Sequence, residues 1–333
     1  MKRTMMVIAI VMVTFSLLAG NSIAASKAVV LKAASAWPKT HNLNTVFFKF
    51  CGMVEKRTNG SVKIQWAGGP ELFKASDLPT AAAAGSIDVF HSAIGYLARK
   101  IPEAGIYDAY PSNMNWENFP RVYKEAFKFL GPLVEKKMKV KPLGSGTTFA
   151  FYLWTKEPVH TFEDVEGLKV RVHGGLAPHL IRALGINVVT MPSEDVYMAL
   201  ERGLIDGAYR NLSSFNNFRE YEFCKFGIDI PLMIGGSPVF ISLRRWAKLD
   251  EMQKKALADV GDEINFITAK FWKGKSEEIM SRLKSEGVQL FEPPPEFRAK
   301  WLRLMAEGGR KAALKMSPEG GETIIGIIEK YAR

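Results

Sequence analysis

Cysteine and histidine are scarce in this chain of 333 residues, which has two of the former and five of the latter. Cys51 and Cys224 lie far apart, and no Cys-x-x-Cys motif or catalytic cysteine–histidine signature accompanies them. The histidines show neither a His-Glu-x-x-His motif nor paired ligand spacing. We therefore expect no metal site and no cofactor. Whether the cysteines pair, and whether a metal ion bridges a ligand, stays open from the sequence.

Nucleotide and nucleic-acid motifs are absent as well. The glycine-rich segment 144–149 lacks the third glycine of a dinucleotide fingerprint and leads into a strand pattern, and the chain has no Walker loop or Gly-x-Ser-x-Gly elbow. Lys and Arg number 45 against 34 Asp and Glu, a net charge of +11. Because acidic residues are interleaved with the basic ones, we expect no nucleic-acid partner. A mild positive field suits small anions.

Only the N-terminus has a long uncharged apolar run. Lys2 and Arg3 precede the apolar segment Met5–Leu18, and residues 22–24 supply the small side chains of a cleavage site. We predict a signal peptide over residues 1–24, cleaved after Ala24, and export to the periplasm. An uncleaved anchor is the alternative, which the shortness of the run disfavours.

Strand-like runs alternate with amphipathic helices after this leader, as in α/β proteins. The pattern is clearest over residues 167–211, which read strand, helix, strand, helix, strand. Arg171 lies in a short, otherwise apolar strand, where a cation is costly to bury unless an anion meets it. Arg171 is therefore the strongest candidate for binding an anionic ligand. The alternative is an internal salt bridge with Glu194, Asp195 or Asp206.

A second feature is the long helical pattern from Asp250 to Glu286, with Asp250 as N-cap and Gly287 as the stop. A continuous helix of this length would measure roughly 55 Å at about 1.5 Å per residue. That exceeds the width of one ordinary domain, so we predict a helix that runs past one domain and along a second. Two helices with a kink near Gly274 are the alternative. Without its leader the chain is long enough for two domains.

Residues 167–207 also resemble a known family. The segments Gly-Leu-Lys-Val-Arg-Val, Ala-Leu-Gly and Met-Pro-Ser-Glu-Asp-Val-Tyr-Met-Ala-Leu-Glu-Arg-Gly-Leu-Ile-Asp-Gly look like the core of the DctP-type solute receptors of TRAP transporters. Weaker similarity runs through most of the mature chain. The resemblance implies an α/β, two-lobe, periplasmic-binding-protein-like (venus flytrap) fold with a long helix spanning both lobes. It places residues 27–150 and 237–275 in lobe I, and residues 151–236 and 276–333 in lobe II.

The same resemblance implies a function. Such receptors are not enzymes: they capture a small organic acid anion between the lobes and deliver it to TRAP membrane subunits. The alternatives are an ABC-type or sensory periplasmic binding protein and, less favoured, an exported enzyme acting on an anionic substrate. A monomer is expected, with a dimer left open. The identity of the ligand does not follow from the sequence.

Site residues follow from the family's motifs position by position. The arginine that matches Arg171 binds the ligand carboxylate. An asparagine after the Asp-Gly turn also contacts the ligand, but here the gapless match of the family's Glu-Asn pair falls on Tyr209 and Arg210. Either Asn211 takes the contact after a small shift, or Arg210 adds a second cation.

Two more departures concern the pocket walls. Many members have another arginine near Phe151 or Tyr152, where this chain is aromatic, and an aromatic residue where this chain has Ser193. These differences predict a ligand other than the sugar acids, with an apolar or aromatic body. Loops after the predicted strands supply the remaining candidates, Trp37, Tyr96 and Glu71.

Overall fold

The computed structural model describes residues 28–332 except 113, 148 and 232–234. The predicted signal peptide, residues 1–24 with cleavage after Ala24, lies outside the described residues and stays a prediction. None of the helices within the described ranges has the length and apolarity that a membrane span needs.

Strands and helices alternate along the chain, as predicted. The strands are β1 (Val29–Ser35), β2 (Val62–Gly68), β3 (Val89–His91), β4 (Val140–Thr147), β5 (Phe151–Thr155), β6 (Lys169–Val172), β7 (Asn187–Thr190), β8 (Gly207–Asn211), β9 (Phe226–Ile228), β10 (Gly236–Ser242) and β11 (Gln289–Phe291). The α-helices are α1 (Leu43–Arg57), α2 (Leu78–Ala84), α3 (Pro102–Ala109), α4 (Phe119–Met138), α5 (Ala177–Arg182), α6 (Val196–Glu201), α7 (Leu212–Asn217), α8 (Leu243–Trp246), α9 (Glu251–Ser285), α10 (Pro295–Met316) and α11 (Pro318–Tyr331). Short 3₁₀ turns lie at Ile94–Leu97, Ser193–Asp195 and Glu220–Glu222.

The strands form two mixed sheets. The first has the order β2-β1-β3-β10-β4, with β1 parallel to β2 and β3, and β10 antiparallel to β3 and β4. The second has the order β11-β9-β5-β8-β6-β7, with β6 parallel to both β7 and β8. The strand–helix–strand–helix–strand prediction for residues 167–211 is confirmed, and it accounts for the three parallel strands β7, β6 and β8; β11 and β9 form a second parallel pair.

Two apolar clusters form the core, and each contains residues of both sheets. Neighbouring residues of one strand belong to different clusters, because successive side chains point to opposite faces of a sheet. Val89 lies in one cluster and Phe90 in the other; Ala208 and Tyr209 divide in the same way. The helices cover both faces of the sheets and complete these clusters.

Helix α9 is continuous over 35 residues, roughly 52 Å at about 1.5 Å per residue. It begins with a capping box between Asp250 and Gln253, and it has no break at Gly274. It contacts β4, α1 and α4 on the side of the first sheet and α7 on the side of the second. The predicted long helix spanning both sheets is confirmed, and the kinked alternative is wrong.

Contact between α9 and the edge strand β4 is a direct backbone approach. A Cβ atom on Gly261 would overlap the carbonyl oxygen of Leu143, and one on Gly144 would overlap the backbone of Gly261. Next to this point, the side-chain oxygen of Asn265 accepts a hydrogen bond of 2.7 Å from the backbone N–H of Ser145. The long helix is thereby attached to the first sheet at a defined register.

The last two helices pack on different parts of the molecule. Helix α10 contacts α5, which belongs to the layer of the second sheet, whereas α11 contacts α3 and α4 beside the first sheet. The lobe boundaries at residues 150, 236 and 275 stay a prediction. Both cysteines are free: Cys51 is half-buried in α1 and Cys224 is buried.

The close approach at Gly261 predicts opposite effects for two glycines of one helix. Gly261→Ala forces α9 away from β4, so we expect the free energy of unfolding to fall by about 1–3 kcal/mol. Gly274 is exposed with nothing within 4 Å of a Cβ, so Gly274→Ala should raise stability by up to about 1 kcal/mol. Urea unfolding measures both variants. Equal effects of the two substitutions would contradict the backbone contact.

Candidate ligand-binding site

A cavity of about 120 Å³ lies between the two sheets. Many of its wall residues directly follow, or end, strands β1, β3, β6, β7 and β8, whereas Phe151 begins the antiparallel strand β5 and Asp108 lies on helix α3. The carboxyl ends of these parallel strands meet at one edge of each sheet, which is where ligands bind in open α/β folds. The first-sheet side supplies Trp37, Ala93, Tyr96 and Asp108, and the second-sheet side supplies Phe151, Arg171, His173, Ser193, Arg210 and Asn211.

Arg171 projects from β6 into this cavity and is 3% exposed. Its Nε and Nη2 donate hydrogen bonds of 3.1 and 2.9 Å to the carbonyl oxygen of Met191, and Nη2 lies 3.5 Å from Ser193 Oγ. None of the ion pairs recorded for the described residues includes Arg171. The alternative of an internal salt bridge with Glu194, Asp195 or Asp206 therefore finds no support among these ion pairs; Asp206 accepts a hydrogen bond from the backbone N–H of Lys169.

The second cavity arginine, Arg210, is neutralised within the protein. Its Nε donates to both carboxylate oxygens of Glu220 at 2.9 and 3.1 Å, and its Nη2 lies 2.7 Å from Oε1. Both side chains are almost fully buried. The guanidinium also lies over the ring of Phe218, 5.0 Å from its centre. Arg210 therefore supplies donors to the cavity but little net charge.

The electrostatics of Arg171 reflect this difference. Burial and, next, the positive charge of Arg210 lower the pKa of Arg171 to about 9. The negative charges of Glu220 and Glu194 act in the opposite direction but offset only part of this destabilisation of the charged guanidinium. An anion that enters the cavity would supply the missing compensation.

Ser193 and Asn211 complete the polar part of the cavity. Ser193 Oγ accepts a hydrogen bond of 2.8 Å from Arg210 Nη1 and lies 3.5 Å from Arg171 Nη2. The hydroxyl therefore lies between the two guanidinium groups. The side-chain oxygen of Asn211 caps helix α7 by accepting from the N–H of Ser214 at 2.7 Å. This capping bond fixes the orientation of the Asn211 side-chain amide. Among the described residues, no hydrogen-bond partner is found for the amide nitrogen.

Seven of the nine predicted site residues line this cavity: Arg171, Asn211, Arg210, Phe151, Trp37, Tyr96 and Ser193. Tyr152 does not, because successive side chains of β5 point to opposite faces; it lines a separate depression with Met114 and Leu212. Glu71 does not either, since its carboxylate accepts from the N–H of Gly69 in its own turn. Ligand contact by any of these residues stays a prediction.

Sequence reasoning missed Asp108, His173 and Glu220 as parts of the site. Asp108 is a single carboxylate in the apolar stretch 104–110, and that isolation was the available signal. His173 directly follows β6, the strand that contains Arg171. Its place in the site depends on Asp108, which lies 65 positions earlier in the chain. No group of three or more His, Cys, Asp or Glu side chains with metal-binding geometry occurs in the described part of the chain.

Comparison with solved structures identifies the fold. The fold is similar to that of DctP7, a Bordetella pertussis extracytoplasmic solute receptor, with a TM-score of 0.80, 18% identity, and coverage of 90% of this chain and 99% of that one. The two mixed sheets and the long helix that contacts both of them belong to this two-lobe fold. The predicted fold class is confirmed.

The chain belongs to the DctP family, bacterial extracellular solute-binding protein family 7, whose model matches residues 33–315. The resemblance to TRAP solute receptors is thus confirmed. This family and its structural neighbours are substrate-binding receptors, so the protein is a receptor and not an enzyme.

Two relatives show how far the similarity extends. A solute-binding protein of Chromohalobacter salexigens is 28% identical over a segment that covers 50% of this chain and 49% of that protein, so the match spans about half of that relative. A monocarboxylate 2-oxoacid-binding periplasmic protein of Nostoc sp. is 23% identical, over 78% of this chain and 72% of that protein.

Removal of the Glu220 carboxylate should be costly, because Arg210 would be left as an unpaired buried cation. We expect Glu220→Gln to lower the free energy of unfolding by about 3–5 kcal/mol. The matched control is Glu222→Gln, which breaks a pair with Arg219 on the surface; exposed pairs contribute about 0–1 kcal/mol. Chemical denaturation of both variants checks this difference, and equal losses would contradict the buried pair.

His41 predicts a pH dependence of stability. It is 6% exposed and lies beside Phe218, and burial together with the charge of Arg210 lowers its pKa from 6.5 to about 4. The unfolded chain therefore binds the proton more tightly than the folded one. The contribution of neutral His41 is complete above about pH 6.5 and is lost as the pH falls towards about 4, by at most about 3 kcal/mol.

The variant His41→Asn should flatten the decline of unfolding free energy between pH 6.5 and 4, since it removes this titration. His160→Asn is the control, because His160 is exposed. Urea unfolding at four or five pH values measures the slopes. A slope in His41→Asn that equals the wild-type slope would show that His41 does not titrate as its environment predicts.

Proposed function

We propose that the protein is a periplasmic receptor that captures a small organic acid anion between two lobes and delivers it to TRAP membrane subunits. The observation that carries the proposal is the state of Arg171: it is buried in the cavity without a carboxylate partner among the described residues, next to an arginine that has one. A buried charge is stable only when it is paired. The ligand is the partner that the fold leaves out.

The free edge of the guanidinium suits a carboxylate. Met191 occupies the edge formed by Nε and Nη2, and Ser193 Oγ lies 3.5 Å from Nη2, so a carboxylate that replaces this long contact can accept two parallel hydrogen bonds from Nη1 and Nη2. The amide nitrogen of Asn211 and the hydroxyl of Tyr96 lie in the same cavity and can reach the ligand from other directions. Trp37 and Phe151 provide apolar walls for its body.

Binding would be coupled to closure of two lobes. We place residues 27–150 and 237–275 in lobe I and residues 151–236 and 276–333 in lobe II, each built around one sheet, with α11 of the second group crossing over to pack against α3 and α4 of the first. A ligand that contacts both sheets at once is bound more tightly when the lobes are closed, and only this difference in affinity shifts the equilibrium. Closure also removes water, which strengthens the pairing with Arg171.

Relatives support an acidic ligand. The Nostoc protein is named for binding monocarboxylate 2-oxoacids, and the Bordetella receptor binds pyroglutamic acid. Both ligands have one carboxylate on a small body. The family supports an extracytoplasmic location and the TRAP membrane subunits as partner; we further propose cleavage of the signal peptide after Ala24 and a monomeric receptor.

The test is calorimetric titration of the mature protein, beginning at Ala25, after unfolding and refolding to remove any ligand from the expression host. The panel contains C4-dicarboxylates, 2-oxo acids, sugar acids, aromatic acids and sn-glycerol 3-phosphate. We expect a carboxylic acid to bind, and Arg171→Ala to weaken its binding about 100-fold, because two charge-assisted hydrogen bonds are lost. Arg182→Ala, which changes an exposed arginine of α5, should leave binding unchanged.

Two results would contradict the proposal. Binding that survives in Arg171→Ala would make this arginine a structural residue. Preference for the phosphate ester over every carboxylate would place a different anion in the site.

A further inference from the structure

The cavity contains a second charged group, the carboxylate of Asp108 on α3. It is 7% exposed, and its Oδ2 lies 3.6 Å from Nε2 of His173. That separation exceeds a hydrogen bond. Both ring nitrogens of His173 are themselves buried without a partner. Asp108 lies on helix α3 and His173 directly follows strand β6, and both side chains line the cavity.

Asp108 differs in this respect from the other buried carboxylates of the described residues. Asp88 accepts a hydrogen bond from the backbone of Lys32, Glu103 from Ser317, and Glu220 from Arg210. For Asp108 no hydrogen bond is recorded. A buried carboxylate without a donor is costly, and the nearest basic group recorded for Asp108 is the His173 imidazole at 3.6 Å, so its oxygens can still accept a hydrogen bond from a ligand.

Gly95 keeps this carboxylate open to the cavity. It lies on the 3₁₀ turn after β3 and lines the cavity together with Asp108. A Cβ atom at this position would collide with Asp108 Oδ2. A side chain there would cover the acceptor, and its absence leaves the oxygen accessible to a ligand.

We propose that the ligand is a small monocarboxylate whose body carries a hydrogen-bond donor, an N–H or O–H from which Asp108 accepts a hydrogen bond while Arg171 binds the carboxylate. This inference rests on the receptor function proposed above and specifies the ligand for the same site. The cavity of about 120 Å³ is of the order of one that holds a single benzene ring, about 150 Å³, which limits the ligand to a short body.

The same arrangement excludes a class of ligands. A dicarboxylate that placed one carboxylate on Arg171 would bring the other towards Asp108, and like charges at short distance in a closed cavity repel each other strongly. The receptor therefore discriminates against C4-dicarboxylates. The specificity comes from repulsion as much as from attraction.

Matched pairs of probes test the inference. The first pair is pyroglutamate and 5-oxotetrahydrofuran-2-carboxylate, in which a ring oxygen replaces the N–H. The second is 2-hydroxy-3-methylbutanoate and 3-methyl-2-oxobutanoate, in which a carbonyl replaces the hydroxyl. Calorimetry on the refolded mature protein measures all four acids and succinate. We expect the donor-bearing member of at least one pair to bind 10-fold or more tightly than its partner, and succinate to bind most weakly.

Variants assign this preference to Asp108. In Asp108→Ala the ratio within the pair should fall below 3-fold, while Asp108→Asn, which keeps an acceptor oxygen, should retain part of it. Glu307→Gln removes an exposed carboxylate that does not line the cavity and should keep the wild-type ratio. Thermal melts of each variant verify folding, and the wild-type ratios decide the question even where a variant fails to fold.

The outcomes separate this inference from the receptor function. If the acids bind in an Arg171-dependent way but the members of each pair bind equally, or if the donor-lacking members bind more tightly, the role of Asp108 is wrong and the receptor function stands. The same holds if succinate or another acid of the panel binds and none of the four probes does. If no carboxylate binds at all, both proposals fail.

Discussion

The structure depends on the cost of a buried positive charge. Arg171 is held by a carbonyl oxygen and a hydroxyl, both neutral acceptors, while the carboxylate that could have neutralised it, Glu220, is taken by Arg210. Because Glu220 pairs with Arg210, Arg171 can still bind a carboxylate of the ligand. Because the fold leaves this charge uncompensated, an anionic ligand gains more by binding here than at an exposed arginine of equal charge.

Backbone topology brings the opposing charges to one place. Arg171 lies on β6 and Asp108 at the end of α3, on segments that belong to different sheets. They share a cavity because the carboxyl ends of both sets of parallel strands face each other, with α9 running along both sheets. The glycines at positions 95, 144 and 261 serve this geometry by allowing close approach at the cavity wall and between α9 and β4.

Prediction from sequence worked where one local rule decided the outcome. The strand around Arg171 and the helix caps at Asp250 and Gly287 depend on near neighbours in the chain, and these elements were predicted closely. Prediction from sequence failed where more than one side-chain orientation agreed with the pattern of neighbouring residues. Tyr152 and Phe151 are both aromatic residues of one strand, and only the pleat and the position of β5 in its sheet decide which of them lines the cavity.

Contiguous patterns in the chain specify an α/β receptor with a long helix and a cation on a buried strand, because periodicity, capping and the family's motif each involve residues that are close in sequence. Which charges stay unpaired in the cavity depends on how the chain folds. Pairing of Arg210 with Glu220 and the approach of Asp108 to His173 are distances in space. No pattern along the chain specifies them, since electrostatic energy depends on separation and burial rather than on order in the sequence.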